Sequence, residues 1–510
     1  MKYKLFIFII FSLSLLFFLE GRPIDPPIWS STTGGAVVVP VEAVEPSAPT
    51  EMWKFDEGSG TTVNDTKGTN DGTLNNIEAG DWSTDVKFTY NTNRSINFDN
   101  ENPAEHMSLS IDNAIAQNKG AISFSLWTKS DSIAASAILI GFSKNGGGSS
   151  GRFEVSTGGS DIGVSGFAPD SDTSQLVQTA SDLLSTNVWE HIAGSIDYAN
   201  DSIKIYHNGV LRSTIGTVAF VNATTDNTTS DLALFGTDET LALANYDGLL
   251  DEIAIFDFVL TAGNAKWLFE NSINDIGKPA DPVAAWNFDE GSGTILNDII
   301  GSDDGTVTNM VAGNWLPGGA FTHVGNSNLD FNVATPAEYV DLGDSPTVQN
   351  KSNVTFSIWM NTDADPTFAA LIDFQKNGSA GSRITVEQRT SLEIRGGGRA
   401  PDSQTFQEMT TTNSPVAIGS WQHIFVEFDI PNDAVAIYVN NVLEDDDGTS
   451  TFTNNSTDDT TSDIGVIGVN DTPTSGKYNG QLDEIAVFDF MLTANEREWL
   501  FENTINKLLP

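Results

Sequence analysis

The chain has 510 residues and carries 24 Lys and Arg against 69 Asp and Glu, a net charge of −45 at neutral pH. That field repels nucleic acid and excludes a sequence-independent DNA or RNA binder. Cysteine is absent, which excludes disulfide scaffolds, Cys-ligated zinc, iron–sulfur clusters and thiol nucleophiles. The chain is not a disordered polyanion. It is 39% hydrophobic, with 11 Trp and 30 Phe, enough apolar mass for sizeable cores.

At the start, Lys2 and Lys4 precede an apolar run from Leu5 to Leu19 broken only by Ser12 and Ser14. A basic stretch followed by such a run reads as a secretory signal. As a helix it would span about 22 Å, short of a bilayer core of about 30 Å. Residues 1–21 are therefore expected to be a signal peptide or an uncleaved N-terminal anchor. Either places the remainder outside the cytoplasmic membrane, secreted or on the cell surface. No Cys follows, so a lipoprotein anchor is excluded. Residues 22–50 hold Pro23, Pro26, Pro27, Pro40, Pro46 and Pro49 among Ser, Thr, Gly and Val. They read as a semi-extended spacer.

The rest is one domain written twice. Trp53-Lys-Phe-Asp-Glu-Gly-Ser-Gly-Thr returns as Trp286-Asn-Phe-Asp-Glu-Gly-Ser-Gly-Thr, and Tyr246–Asn274 returns as Tyr478–Asn506. A repeat unit this long means two large domains, 51–275 and 283–510, and not a solenoid. The joint lies between Glu270 and Pro282, where Pro279 and Pro282 break any helix. Inside each copy the pattern is β. Ile122-Ser-Phe-Ser-Leu-Trp127 and Val354-Thr-Phe-Ser-Ile-Trp359 alternate apolar with small polar residues, the mark of half-buried strands. Asn208-Gly209, Asp247-Gly248 and Asn479-Gly480 punctuate them as turns. Many short strands without βαβ spacing predict an all-β, two-sheet sandwich. One short helix closes each copy. The second has the capping box Thr493-Ala-Asn-Glu496, while the first has Gly263 and Asn264 there and is expected to be weaker.

These residues resemble the laminin G-like (LamG-like, concanavalin A-like) jelly-roll family. The opening Trp-x-Phe-Asp-Glu-Gly-Ser-Gly-Thr is similar to its first hairpin. Trp189-Glu-His-Ile and Trp421-Gln-His-Ile are similar to its central strand. Gly248-Leu-Leu-Asp-Glu-Ile and Gly480-Gln-Leu-Asp-Glu-Ile are similar to its closing strand. The resemblance implies tandem concanavalin A-like sandwiches over nearly all of the chain after the spacer. It does not name a ligand, because the fold carries many functions.

Some sandwiches of this kind hydrolyse glycans, which requires two facing carboxylates about 5–9 Å apart. The Glu-x-Asp-x-(x)-Glu run of the laminarinase-like group is missing, and Glu427-Phe-Asp429 is the nearest approach. Asp251-Glu252 and Asp483-Glu484 are neighbours on a strand and are expected to point to opposite faces. His191 and His423 follow Trp on core strands and read as structural. No catalytic residue is assigned, and the chain is read as a non-enzyme. Calcium is another matter, since it takes six to eight hard oxygens. The resemblance implies one structural Ca2+ where first and last strands pair. On that implication Glu57, Asp65, Asp251 and Glu252 are candidate ligands in the first copy, and Glu290, Asp298, Asp483 and Glu484 in the second. The alternative is Asx turns and solvated acids without an ion.

Ten of the 11 Trp pair between the copies, which points to shared cores. Aromatics that differ are more informative: Tyr90 faces His323, His106 faces Tyr339 and Tyr198 faces Ile430. The copies differ most in one middle segment, where the second carries Arg383, Arg389, Arg395 and Arg399. These four are the candidate ligand-binding residues, a cationic patch suited to sulfate or carboxylate groups on a glycan. Pairing with Glu387, Glu393 and nearby Asp is the competing expectation. The sequence thus reads as an exported, non-catalytic protein with two such sandwiches held on a spacer. Its expected partner is extracellular carbohydrate or a surface glycoprotein. The alternatives are an adhesive or structural surface or virion component, and, further off, a glycoside hydrolase or lyase.

Overall fold

The computed structural model describes residues 41–510, apart from 90–92, 100–102, 111–113, 134–135, 145–150, 169–172, 181–182, 216–217, 227–230, 239–240, 242–243, 324, 334, 377–381, 448–449, 459–462, 471–474 and 510. The expected leader and most of the spacer, with Tyr90, lie outside the described residues. No helix among the described residues is long and apolar enough to cross a membrane.

Each copy folds into two antiparallel sheets packed face to face. In the first, one sheet runs Ser202–His207, Glu190–Asp197, Ala121–Ser130, Gly248–Phe256, Ser95–Phe98, Trp82–Ser83, with Val210–Leu211 on its outer edge. The facing sheet runs Gln175–Thr179, Ile162–Gly166, Gly151–Thr157, Ala137–Lys144, Asp231–Phe235, His106–Ser108, Gly72–Asn75. The second copy repeats this order with Gly480–Phe488 in the place of Gly248–Phe256. Both are all-β, tandem concanavalin A-like jelly-roll sandwiches.

Period-two alternation explains the packing. Phe124, Leu126, Ile192, Ile196 and Leu250 from one sheet meet Leu139, Phe142, Val155, Val164 and Phe235 from the other in one buried cluster. The opposite phase of the first sheet is also apolar. Ala193, Tyr206, Ala254 and Phe256 lie under helix α1, Ala262–Glu270, through Leu268 and Ala265. Helix α2, Ala494–Glu502, covers Phe425, Ala486 and Phe488 in the same way. One sheet of each sandwich is thus closed on both faces, and the other keeps an outer face for solvent or ligand.

Both helices close a full capping box. In α2 the Thr493 side chain accepts from the Glu496 amide, and the Glu496 carboxylate accepts from Thr493 N–H. In α1 Asn264 does the same work, its Oδ1 accepting from Thr261 N–H at 2.9 Å. The expected weakness of the first cap is offset by the Asn264 Nδ2, which donates to Val44 O and Glu45 O. The end of the spacer is thereby fastened to the first sandwich. The two sandwiches touch along one seam. Lys67 pairs with Glu498 at 3.2 Å and Glu502 at 3.1 Å, and Trp499 Nε1 donates to Asn274 O.

Asn264→Ala removes the reciprocal cap and both spacer bonds at once. It is expected to cost about 1–2 kcal/mol, read as a lower urea midpoint with an unchanged slope.

Candidate functional site

The last strand of each copy sits at the centre of its helix-covered sheet. Gly248–Phe256 pairs with Glu51–Trp53, Ser95–Phe98 and Ala121–Ser130. Asp251 and Glu252 ride on it and are both wholly buried. The expected alternation fails here. The register slips between Asp251 and Ala254, and Glu252 has a φ of 48°. One residue is inserted, a β-bulge that turns two successive side chains to the same side. Leu250 and Ile253 still point into the core, so both acids lie on the outer side. Asp483 and Glu484 repeat the bulge, with φ 49° at Glu484.

The two acids of each pair have different company. Glu252 accepts from Ser272 Oγ at 2.5 Å and Ile273 N at 3.1 Å; Glu484 accepts from Thr504 Oγ1 and Ile505 N, both at 2.5 Å. Neither oxygen of Asp251 accepts a well-formed hydrogen bond. Asp483 takes the Ala320 amide on Oδ2 at 2.9 Å, and its Oδ1 takes nothing. Burial, then the neighbouring Glu252 and Asp56, holds the Asp251 carboxyl well above the usual carboxylate range. Burial likewise pushes Glu484 up to about 8, against the hydrogen bonds from Thr504 and Ile505.

A divalent cation fits this chemistry. The orphaned, fully buried oxygens of Asp251 are all-oxygen donors without a positive partner, beside Glu252 and Asp56. In the second copy Asp289 takes the place of Asp56, with His323 Nε2 3.9 Å from it and 4.0 Å from Glu484. Asp56 and Asp289 are the neighbours that sequence reasoning missed; each adjoins a residue it did choose. Glu57 and Glu290 each accept from the backbone and side chain of Asn64 and Asn297. Asp65 accepts four backbone N–H groups, from Met52, Lys67, Gly68 and Asn70. Asp298 does so from Ala285, Ile300, Gly301 and Asp303. These two acids organise Asx turns.

The arginine-rich segment lies on the other sheet of the second sandwich. Ile384, Val386 and Ile394 enter the core, which puts Glu387, Arg389 and Arg395 on the outer face. Arg383 differs from the rest: its buried guanidinium forks onto Asp402 at 2.9 and 2.8 Å, and donates to Asp458 O. Its first-copy counterpart, Arg152, is buried too. The remaining three come together. Arg389 and Arg395 both donate to Glu387, at 3.1 and 2.6 Å, and Arg395 also donates to Glu408. Glu393 is not among these partners. Phe406 lies between Arg395 and Arg399, whose guanidinium carbons are 5.4 and 5.0 Å from its ring centre. Arg389 covers Phe368 at 5.6 Å.

Gly397 is what allows this. A Cβ there would stand 2.4 Å from the Phe406 ring. The bare backbone lets the phenyl lie on the sheet. Among the described residues the first sandwich has nothing equivalent. Where Glu387 opposes Arg395, Ser156 opposes Gly163, and Ser136 and Ser174 replace Phe368 and Phe406. Comparing unpaired aromatics between the copies would have found both phenylalanines.

The histidines serve packing. His191 and His423 hydrogen-bond Ser125 and Ser357 at 2.8 and 2.7 Å; His423 stacks on Trp359, and His191 packs at a tilt against Trp127. Burial drives both imidazoles down to about 3, so they stay neutral. Wholly buried, they cannot meet a substrate.

Two sandwiches, each with one open and one helix-covered sheet, define a tandem lectin-like β protein. The chain belongs to the concanavalin A-like lectin/glucanases superfamily, which it matches over residues 103–265 and 334–496. No curated protein sequence matches it. Among solved structures it is similar to domain 4 of AbnA, an extracellular arabinanase from Geobacillus stearothermophilus, with 19% identity over 44% of this chain and 98% of that one, TM-score 0.28. It is also similar to the CBM40 of the Ruminococcus gnavus IT-sialidase, with 13% identity over 36% and 100%, TM-score 0.29. A third is the botulinum neurotoxin serotype G binding domain, with 13% identity over 71% and 88%, TM-score 0.31.

The buried acids give a pH dependence with a definite sign. Glu484 keeps its proton up to about pH 8 when folded but loses it near 4.5 when unfolded. The folded state then binds more protons, so stability without metal falls as pH rises between those values. In chelator, Tm is expected to drop by several degrees from pH 5 to pH 8. Asp251→Asn with Asp483→Asn is expected to shrink that drop, as read by calorimetry.

Proposed function

We propose that this is an exported, non-catalytic binding protein that recognises extracellular carbohydrate, free or on a surface glycoprotein, through the open sheet of its second sandwich. The observation that carries the reading is the Arg–Phe platform seated on Gly397. Its arginines and phenylalanines are fixed on strands and on the adjoining loop, and the duplicate domain lacks it. Aromatic and guanidinium groups held rigidly on a sheet suit a sugar ring and its carboxylate or sulfate substituents. Export is supported by the basic and apolar start of the sequence.

Hydrolysis is disfavoured by the platform's own acids. Glu387 and Glu408 both accept from Arg395, so a cation stands where a glycosidase needs a proton donor and a base. In each copy a Ca2+ ion held at the bulge would neutralise the buried acids. Asp251 with Asp56, and Asp483 with Asp289, are the carboxylates that would hold it. Its role would be structural, stiffening the closing strand.

On a glycan array the protein is expected to bind acidic oligosaccharides. Arg389→Glu with Arg395→Glu should weaken this at least tenfold, and Gly397→Val should do so by displacing Phe406. Undiminished binding by both variants would contradict the platform as the site.

A further inference from the structure

The duplication provides an internal control for a cavity in the second sandwich. It has a volume of about 420 Å³, and its wall includes Gly301, Asp303, Thr347, Gln349, Asn350 and Lys351. Small-molecule sites typically run from about 300 to 1,000 Å³. The cavity lies where the turn before Gly305–Thr308 meets the segment after Tyr339–Ser345. Those strands form one edge of the open sheet, and the platform strands Glu393–Gly398 and Gln407–Thr410 form the other.

The first sandwich fills the same place with a side chain of its own. Glu51 there is 8% exposed, and Asn70 Nδ2 donates to its Oε2 at 2.9 Å. Lys119 bears on it electrostatically. Gly68, Asn70 and Lys119 correspond to Gly301, Asp303 and Lys351 of the cavity wall, and Glu51 itself corresponds to Ala284. The glycines show the difference directly. A Cβ on Gly68 would stand 2.2 Å from Glu51 Oε2 and 2.5 Å from Asp65 Oδ2. On Gly301 it would meet Asp298 Oδ2 at 2.5 Å and, in place of a glutamate, the Val283 carbonyl at 2.7 Å. Thr347 also stands where the first core has Ile115. These substitutions remove bulk and add polar lining at one spot.

The wall selects what enters. Asp303 Oδ2 accepts from the Ser345 and Thr347 hydroxyls, which fix the carboxylate in place. A carboxylate accepts about four hydrogen bonds, so capacity remains. Lys351 Nζ lies 2.8 Å from Asp489 and has three protons to donate. The amides of Gln349 and Asn350 both give and take. A ligand that meets an acid and an ammonium in one small cavity must donate and accept from neighbouring atoms. Hydroxyls on adjacent carbons do both without charge. An anion would face Asp303, and a cation would face Lys351. The first sandwich has the same preference. Burial, then the hydrogen bond with Asp65, pushes the Glu51 carboxyl up to about 8, so the group in that place is neutral and carries an O–H.

We infer that the second sandwich binds one neutral sugar ring in this cavity, with hydroxyls between Asp303 and Lys351, in the place that the first sandwich gives to the Glu51 side chain. This is a second site, independent of the arginine platform and different from it in ligand charge.

The test is saturation-transfer NMR on the full chain, with the neutral methyl glycosides of glucose, galactose, mannose, xylose and arabinose as probes. Ala284→Glu with Asp303→Asn writes the first sandwich's own pair into the second, filling the cavity with residues the fold already accepts. Binding of at least one glycoside by the parent, weakened at least tenfold in this variant, is the expected result. Asp303→Asn alone keeps the cavity open but removes the acceptor. It should weaken binding as well, and it decides the matter if the double variant does not fold. Arg389→Glu with Arg395→Glu should bind the glycoside as the parent does, which separates this site from the platform. A parent that binds none of the probes, or equal affinity in parent and Asp303→Asn, would overturn the inference.

Discussion

Each sandwich is closed by inserting its last long strand into the middle of a sheet, and that strand carries two adjacent acids with no water to solvate them. Burying an ionised carboxylate without a partner costs several kcal/mol. The bulge at Glu252 and Glu484 is the backbone's partial answer. It turns both acids outward from the hydrocarbon core and delivers the glutamate to a hydroxyl and an amide of the turn after the helix. The aspartate is left over. The first strand, the final turn and the helix all meet at this point, so whatever neutralises Asp251 and Asp483 also governs how firmly each domain is shut.

The duplication separates structure from function better than either copy could alone. Features kept in both copies are those the fold requires: the buried Ser–His–Trp cluster, the four-amide cradle at Asp65 and Asp298, the bulge, and the buried arginine. Features present once are free to be functional. The Gly397–Phe406 seat and its arginines occur only in the second sandwich. The two domains keep one core and differ in the residues they set on it.

The fold was legible because its signals are local. Alternation along Ile122–Trp127 and the repeat itself needed no tertiary information. The arginine segment was also visible, as the largest difference between copies. Its internal order was not. That Arg383 is buried on Asp402 while Arg389 and Arg395 share Glu387 depends on strand register, which spacing along the chain does not reveal. The bulge escaped for a related reason: Asp251-Glu252 looks like ordinary alternation until the partner strand shows the inserted residue. Glu57 and Asp65 are among the calcium ligands that the family resemblance implies. The geometry instead sets their neighbour Asp56 beside Asp251 and gives Asp65 to backbone amides. Asn264 looked like a poor cap because its second role, holding the spacer through Val44 and Glu45, lies more than two hundred residues away in sequence.

The most direct test is a crystal structure grown with calcium near neutral pH, with anomalous scattering used to locate the ion. An anomalous peak is expected against the outer oxygens of Asp251 and of Asp483, with Asp56 and Asp289 turned toward it. Density that shows Asp251 protonated and hydrogen-bonded to Asp56 or Glu252, with no ion in either sandwich, would contradict it.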